Sequence, residues 1–171
     1  MSESSNIHLR IIDGDYKQIE CYNLAIDELY DKYDWIAFFD IDEFLVVKNI
    51  NGFTTIDTFL SQNKYDNIPC ICVNWRIFGD SGLTSIDSWS VLNRFIMSDD
   101  KLDETSKVII HTSYVKNMIK FFYNPHCVTS YQYDPNLKFR LDRIGNNKHI
   151  NDNGNNEPIE LNHYRNKTYT E

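Results

Sequence analysis

Residues 35–47 read Trp-Ile-Ala-Phe-Phe-Asp-Ile-Asp-Glu-Phe-Leu-Val-Val, so two apolar runs enclose three carboxylates. A short continuous apolar run is typical of a strand that is covered on both faces. Asp40, Asp42 and Glu43 stand where such a strand would surface. Because carboxylates are rarely left in a core without a partner, something cationic is expected to meet them. A divalent metal ion is the economical candidate.

The composition predicts a single globular unit over residues 1–171. Of these residues, 42% are hydrophobic and 14% aromatic, which is ample for a core. The formal net charge of −8 argues against a nucleic-acid partner, because phosphate contacts need clustered cations. No apolar run approaches the ~20 residues that span a bilayer, and the polar residues 1–6 carry no apolar h-region of a signal peptide, so a cytoplasmic protein without a transmembrane segment is expected.

The four cysteines are predicted to be reduced thiols. They lack the spacing of a zinc site, and an even count does not make a disulfide framework at this length. They are Cys21, Cys70, Cys72 and Cys127.

A strand, a helix and a buried strand are predicted to precede the carboxylates. Residues 7–12 alternate weakly and end at Asp13-Gly14-Asp15, which indicates a strand and a turn. Apolar side chains then recur at three- and four-residue spacing, which predicts a helix. They are Ile19, Tyr22, Ile26, Leu29 and Tyr33. With the strand at 35–39, this order predicts a βαβ unit.

After residue 47 the sequence predicts a short helix, three strands, one segment of ambiguous type and a loop. Thr54 with Asp57 resembles a capping box that opens a short helix over residues 56–62. Three further strands are predicted, over residues 68–75, 107–111 and 119–123. Residues 89–97 fit either a helix or a strand. Residues 134–158 are rich in Asn, Asp, Lys, Arg and Gly, which predicts a mobile loop.

Asp40 and Asp42 are spaced to address one ion. Side chains at i and i+2 of an extended segment point the same way, so Ile41 is expected to point back into the protein. Oxygen ligands favour Mg²⁺ or Mn²⁺, and these ions often take only one or two protein carboxylates, with water and substrate phosphate completing the shell. A phosphorylated substrate is therefore predicted. The plainer alternative is that the aspartates cap a turn or pair with Arg76 or Arg94.

These motifs resemble the GT-A type glycosyltransferases of the family 2-like and family 92-like groups, which carry an Asp-x-Asp-Glu-Phe signature. The resemblance spans residues 16–168 and depends chiefly on residues 34–45. Weaker landmarks are Gln18, Tyr22-Asn23, Val73-Asn74-Trp75, Phe78-Gly79, Arg94-Phe95, Lys107-Val108-Ile109 and Asn162-His163-Tyr164. The resemblance implies an α/β fold, namely a partial GT-A (Rossmann-like) mixed sheet flanked by helices. It also implies an enzyme that moves a sugar from a nucleotide-sugar donor to a sugar, lipid or protein acceptor.

The resemblance also implies roles for site residues. Asp42 would bind the metal directly, Asp40 would face the ribose or a metal-bound water, and His163 would complete the metal shell. The cation would offset the charge that builds on the departing diphosphate. An inverting member also needs a carboxylate base, and Asp80 is the candidate by chain order. In the glycine-bordered loop 78–82, Asp80 could instead simply form a turn.

Four more residues are expected to contact the substrate: Trp75, Arg94, Lys107 and His126. Trp75 could stack on a sugar or base ring, or could be an ordinary core residue at the end of a strand. Arg94 and Lys107 could neutralise the diphosphate, or could balance the acidic surface. His126 could line the cleft in the family arrangement, or could lie in a surface loop.

The chain departs from the family pattern at its beginning. Only 39 residues stand before Asp40, so the first strand, its helix and the second strand of the nucleotide pocket are expected to be missing. Three explanations are open. The chain is a piece of a longer protein, or one half of a split gene whose companion chain supplies the N-terminal half, or a remnant that has lost donor binding.

Two other classes of protein are alternatives. Phosphatases of the haloacid dehalogenase type also carry an apolar strand that ends in Asp-x-Asp, with a nucleophilic first aspartate. Here Phe44 stands where a small hydroxyl residue is usual, and Asp99-Asp100 precedes Lys107 rather than following it. The remaining alternative is an acidic, aromatic-rich binding module for carbohydrate or for a partner subunit.

Overall fold

The computed structural model describes residues 7–48, 55–62, 65–66, 68–85, 90–115, 119–130 and 158–165. Within these ranges no helix is both long and apolar enough to cross a membrane. The mobile loop predicted over 134–158 lies outside the described residues, apart from its last position.

Helices and strands alternate irregularly along the chain, which confirms the predicted α/β class. In chain order they are α1 (Gln18–Leu29), β1 (Trp35–Phe38), β2 (Glu43–Val47), α2 (Ile56–Leu60), β3 (Cys70–Ile77), α3 (Val91–Arg94), β4 (Ser106–His111), β5 (Ile119–Asn124), β6 (Cys127–Ser130) and β7 (Ile159–His163). A 3-10 turn, Thr112–Tyr114, follows β4.

Five strands form one mixed sheet in the order β1-β4-β3-β7-β2, and β5 and β6 form a separate hairpin. Strands β3 and β7 pair in parallel, whereas the other pairs of the sheet are antiparallel. Strands β1, β3 and β7 therefore run in the same direction. Their carboxyl ends meet the amino ends of β4 and β2 at one edge of the sheet.

Both faces of the sheet are covered, because successive side chains of a strand point to opposite faces. Helix α1 and the β5–β6 hairpin cover one face, where Ile26, Phe38, Val108, Phe122 and Val128 are buried together. Helix α2 covers the other, where Phe59, Val73, Trp75, Ile109 and Leu161 are buried together. Cys70 and Cys72 belong to the first cluster, and neither they nor Cys21 form a disulfide, which matches the reduced state predicted for these three. The side chain of Cys127 is not among those that the structure describes.

Helix α1 also holds the hairpin by hydrogen bonds. The Asn23 side chain donates from Nδ2 to the Phe122 carbonyl at 3.3 Å and accepts at Oδ1 from the Phe122 N–H at 2.7 Å. One amide side chain thus satisfies both backbone groups of a strand residue, as a neighbouring strand would.

The strand predicted over residues 7–12 is wrong, and with it the βαβ unit. These residues have no regular secondary structure, and Ile7, Leu9 and Ile11 are 82%, 86% and 79% exposed. Strand β1 instead pairs antiparallel with β4. The alternating apolar side chains of Ile7, Leu9 and Ile11 thus stay exposed, whereas the apolar stripe of α1 packs against the first core cluster.

The other predicted elements are confirmed with shifted bounds. Helix α1 and strands β1, β3, β4 and β5 lie where the periodicity placed them, although Ala37 of β1 is exposed rather than covered. The capping box of α2 is formed by Thr55, whose hydroxyl accepts from the Thr58 N–H at 3.2 Å. Thr54, which the predicted Thr54–Asp57 box needs, lies outside the described residues. Residues 91–94, in the ambiguous segment 89–97, are helical.

Candidate active site

A tight turn joins β1 to β2 and carries the carboxylates. The Glu43 N–H donates to the Asp40 carbonyl at 3.1 Å, and the Asp40 N–H donates to Glu43 Oε2 at 2.8 Å. Because these two bonds close the turn, the segment is not extended. Ile41 is consequently 100% exposed, and the expectation that it points into the protein is wrong.

The protein itself occupies both carboxylate oxygens of Asp40. Lys107 Nζ donates to Oδ2 at 2.8 Å, Tyr22 donates its hydroxyl to Oδ1 at 3.0 Å, and Gln18 Nε2 also donates to Oδ1. Burial alone would raise the pKa of Asp40, but the hydrogen bond and charge of Lys107 outweigh it and hold the pKa below its ordinary value. Asp40 is therefore ionised at neutral pH.

The cation that meets the carboxylates is Lys107, which β4 supplies. Its side chain is fully buried, and Nζ lies 3.8 Å from Glu43 Oε1 and 5.8 Å from the centroid of the Tyr22 ring. Arg76, a partner considered in the plainer alternative, binds Glu160 with its Nη2 at 2.9 Å. Because a buried charge is costly unless it is paired, the carboxyl groups of Asp40 and Glu43 stabilise the buried ammonium group of Lys107.

Glu43 is the most perturbed carboxylate of the turn. It is buried at the start of β2, and its Oε1 accepts no hydrogen bond from the described part of the chain. Burial raises its pKa to about 7, although the Asp40 N–H and the charge of Lys107 act in the opposite direction. Its proton is thus held more tightly than that of an ordinary glutamate.

Asp42 and His163 form the open part of the site. The Tyr164 N–H donates to the Asp42 carbonyl at 3.0 Å, and this bond places the Asp42 Oδ2 3.8 Å from His163 Nε2. The Asp42 side chain is 41% exposed, whereas His163 is buried. Burial lowers the pKa of His163 despite the opposing charges of Asp42 and Asp40, so the imidazole is neutral at pH 7.

Trp75 connects the two histidines of the site. Its ring centroid lies 4.1 Å from that of His163 and 5.2 Å from that of His126. Trp75 is buried in the second core cluster, as its plainer alternative expected, but its Nε1 has no hydrogen-bond partner among the residues that the structure describes. A buried indole N–H usually finds an acceptor, so a polar group of a ligand or water could meet it.

His126 lies in the turn between β5 and β6. Its Nδ1 is 2.9 Å from the Ser106 carbonyl oxygen, which can only accept, so Nδ1 carries the proton. In the neutral ring Nε2 is then an acceptor. The hydroxyl of Ser106, at the amino end of β4, is buried and has no hydrogen-bond partner within the described ranges.

Asp80 lies in the loop that leaves β3. Its Oδ1 accepts from the Gly82 N–H at 2.9 Å and its carbonyl accepts from the Leu83 N–H at 3.0 Å, so Asp80 forms a turn. The loop begins beside the site, since the Phe78 N–H donates to the His163 carbonyl at 3.0 Å. The role of base stays a prediction.

The structure brings most of the predicted site residues to one edge of the sheet. They are Asp40, Asp42, Trp75, Lys107, His126 and His163. Arg94 is buried on α3, with its Cζ 5.0 Å from the centroid of the Phe95 ring. Its role as a diphosphate partner stays a prediction.

Sequence reasoning missed Gln18 and Tyr22 as partners of Asp40. A signal was present, because their four-residue spacing puts both polar groups on one face of α1. In the structure Gln18 also donates to the Tyr22 hydroxyl at 3.0 Å.

A metal ion would find two suitable ligands. Among the residues that the structure describes, no group of three or more His, Cys, Asp or Glu side chains is placed to hold a metal ion. Asp42 Oδ2 and His163 Nε2 nevertheless offer one carboxylate oxygen and one neutral imidazole nitrogen close together. This pair fits an ion such as Mn²⁺ or Mg²⁺, which completes its shell with water and phosphate.

The sequence model of glycosyltransferase family 92 matches residues 16–170, which include every candidate residue named above. Comparison with curated proteins and with solved structures gives no match. The family match favours the glycosyltransferase prediction over the phosphatase and the binding module, and such an enzyme acts on a sugar donor and an acceptor. The chain belongs to glycosyltransferase family 92.

Proposed function

We propose that this glycosyltransferase is of the GT-A type and moves a sugar from a nucleotide-sugar donor, with inversion, with Mn²⁺ or Mg²⁺ held by Asp42 and His163. The observation that carries the proposal is the 3.8 Å approach of Asp42 Oδ2 to His163 Nε2. It occurs at the sheet edge where the carboxyl ends of β1, β3 and β7 meet. Ligands of open α/β sheets bind beyond such strand ends.

The two side chains suit a cation that arrives with a phosphorylated ligand. Asp42 is partly exposed and can meet an ion from solvent, while the neutral His163 keeps a lone pair for it. When bound, the ion supplies Lewis-acid stabilisation of the charge on the leaving diphosphate.

Neighbouring polar groups can orient the sugar. The buried Trp75 Nε1–H has no acceptor among the described residues, and His126, whose Nδ1 donates to the Ser106 carbonyl, can accept at Nε2 in the neutral form of its ring. A sugar hydroxyl both donates and accepts, so it can satisfy one or both of these groups. A hydrogen bond from the buried Trp75 Nε1–H to the sugar contributes both to the affinity for the sugar and to its orientation.

Inversion requires one base at the acceptor. As the acceptor hydroxyl oxygen bonds to the anomeric carbon, the bond from that carbon to the phosphate oxygen breaks, and its electron pair leaves with the diphosphate. The hydroxyl proton then passes to a carboxylate. Asp80 is our candidate, because its Oδ1 accepts from Gly82 and its second oxygen can take the proton.

A thermal-shift panel tests the proposal. The melting temperature is measured with UDP-, GDP- and dTDP-sugars, each with and without Mn²⁺. We expect one donor class to raise it by several degrees only when Mn²⁺ is present, because binding to the folded state stabilises it. Asp42→Ala should abolish the shift, and the matched control Asp31→Ala, an exposed aspartate after α1, should keep it. No shift of the wild type with any donor would contradict the proposal.

A further inference from the structure

We infer that Lys107 is a positioning residue that keeps Asp40 as an internal counter-ion, so that Asp42 alone of the two aspartates meets the ligand. The inference deepens the proposed function and rests on it. It assigns unequal roles to two side chains that the Asp-x-Asp pattern presents as equivalent.

The hydrogen bonds of the two aspartates differ in kind. Both oxygens of Asp40 accept from the protein: Oδ2 from Lys107 at 2.8 Å, and Oδ1 from Tyr22 at 3.0 Å and from Gln18. A ligand would have to displace at least one of these donors. The Asp42 carboxylate is 41% exposed, and its described neighbour is His163 Nε2 at 3.8 Å. Only Asp42 therefore offers its oxygens without breaking a bond.

Lys107 holds both ends of the turn. Its Nζ lies 2.8 Å from Asp40 Oδ2 and 3.8 Å from Glu43 Oε1, and the same two residues close the turn through the Asp40 N–H and Glu43 Oε2. Without the ammonium group, two neighbouring carboxylates would face each other across a poorly solvated space. The turn would then open or shift, and the position of Asp42 would shift with it.

The strand register explains why Lys107 reaches this place. Phe38 pairs with Val108 in the antiparallel β1–β4 ladder, so the chain that continues from Phe38 to Asp40 passes the amino end of β4. Lys107 stands there, opposite Val73 of β3. Its fully buried stem leaves the ammonium group fixed rather than mobile.

A double variant separates a counter-ion from a ligand. Asp40→Asn alone leaves the buried Lys107 charge short of a partner beside the site, and it should weaken Mn²⁺-dependent binding by at least about tenfold. In Asp40→Asn with Lys107→Met the cation is gone, and the asparagine oxygen can still accept from Tyr22 and Gln18. Binding should then return to within about threefold of the wild type. Asp42→Asn should lose binding whatever stands at 40 and 107.

The measurement is calorimetric titration of each variant with Mn²⁺ and each of UDP, GDP and dTDP, with circular dichroism and the melting temperature as checks of folding. Should the methionine double variant fail to fold, Asp40→Asn with Lys107→Gln replaces the ion pair by an amide pair and serves the same comparison. A purely structural pair would change the melting temperature without the loss and recovery of affinity.

Three outcomes are distinguishable. Recovery in the double variant supports the inference. A double variant that folds and binds as weakly as Asp40→Asn means that Asp40 itself contacts the ligand, which overturns the inference and leaves the proposed function standing. A wild type without Mn²⁺-dependent binding of any of the three diphosphates overturns the proposed function and the inference with it.

Discussion

Glu43 and His163 face each other directly across the antiparallel β2–β7 pair, and both are buried. The fold thus places a carboxyl group and an imidazole side by side at the sheet edge where Asp42 lies. Burial raises the pKa of the first to about 7 and lowers the pKa of the second, so both resist taking up charge. Several expectations follow from this neighbourhood and from the ion pairs around it.

His163→Gln should weaken Mn²⁺-dependent nucleoside diphosphate binding by at least about tenfold, because it removes the imidazole nitrogen next to Asp42. The matched control is His111→Gln at the far end of β4, where the ring contacts Trp35 and Ser113. Calorimetric titration of the two variants checks this. Equal binding by both would remove His163 from the set of ligands.

Glu43→Gln should stabilise the protein at pH 8 more than at pH 5. The pKa of Glu43 rises from its ordinary 4.5 to about 7 on folding, so the unfolded chain loses this proton first as the pH rises. The wild type therefore loses stability between about pH 4.5 and 7, and glutamine avoids that loss. Melting temperatures across this range measure the difference, with the exposed Glu28→Gln as control. A difference that does not change with pH would contradict the prediction.

Glu160→Gln should destabilise the protein at neutral pH by roughly 3 kcal/mol, because it leaves two cations near one another without their carboxylate. Lys48 Nζ and Arg76 Nη2 lie 2.7 Å and 2.9 Å from Glu160 Oε2. Burial would raise the pKa of Glu160, but the hydrogen bonds and charges of Arg76 and Lys48 outweigh it, and the pKa is lowered.

The sign of the pH dependence is opposite to that of Glu43. A lowered folded pKa stabilises the protein above the ordinary value of 4.5, and this contribution disappears as the pH falls below it. The free energies of unfolding in urea of the wild type and of Glu160→Gln should therefore converge as the pH falls through the lowered pKa of Glu160. A gap that does not shrink at all as the pH falls below 4.5 would mean that packing, not charge, explains the loss.

Asn23→Ala should destabilise the protein by about 1–3 kcal/mol, because it leaves the buried backbone N–H and C=O of Phe122 without their partner. Hydrogen exchange at the Phe122 amide should accelerate more than exchange at the Ile109 amide, in the centre of the sheet. Equal acceleration at both amides would indicate a global effect instead.

Local patterns predicted much of the fold. Helix α1 and strand β3 are encoded by apolar periodicity, which neighbouring residues carry on their own. The strand at residues 7–12 was wrong because pairing depends on a partner that the segment itself does not encode. The expectation that Ile41 points into the protein was wrong, because the i and i+2 spacing fixes side-chain directions only in an extended chain. Two hydrogen bonds between Asp40 and Glu43 close this segment into a turn instead.

The sequence predicted which of these residues lie near one another more than which contacts they make. Lys107 was expected to neutralise the diphosphate or to balance the acidic surface, not to pair with Asp40, because Asp40 lies 67 residues away and no spacing rule connects the two. The four-residue spacing of Gln18 and Tyr22 could have shown a shared polar face, but not what that face would meet. Such contacts are set by the order of strands in the sheet.

Helix α1 touches two opposite parts of this region. Gln18 and Tyr22 bond to Asp40 in the β1–β2 turn, and Asn23, on the next turn of the helix, bonds to the hairpin that carries His126. The same helix therefore contacts both the carboxylate turn and the hairpin. A tilt of α1 would displace Asp40 and the hairpin that carries His126 together, so a shift of one helix would change both parts of the site.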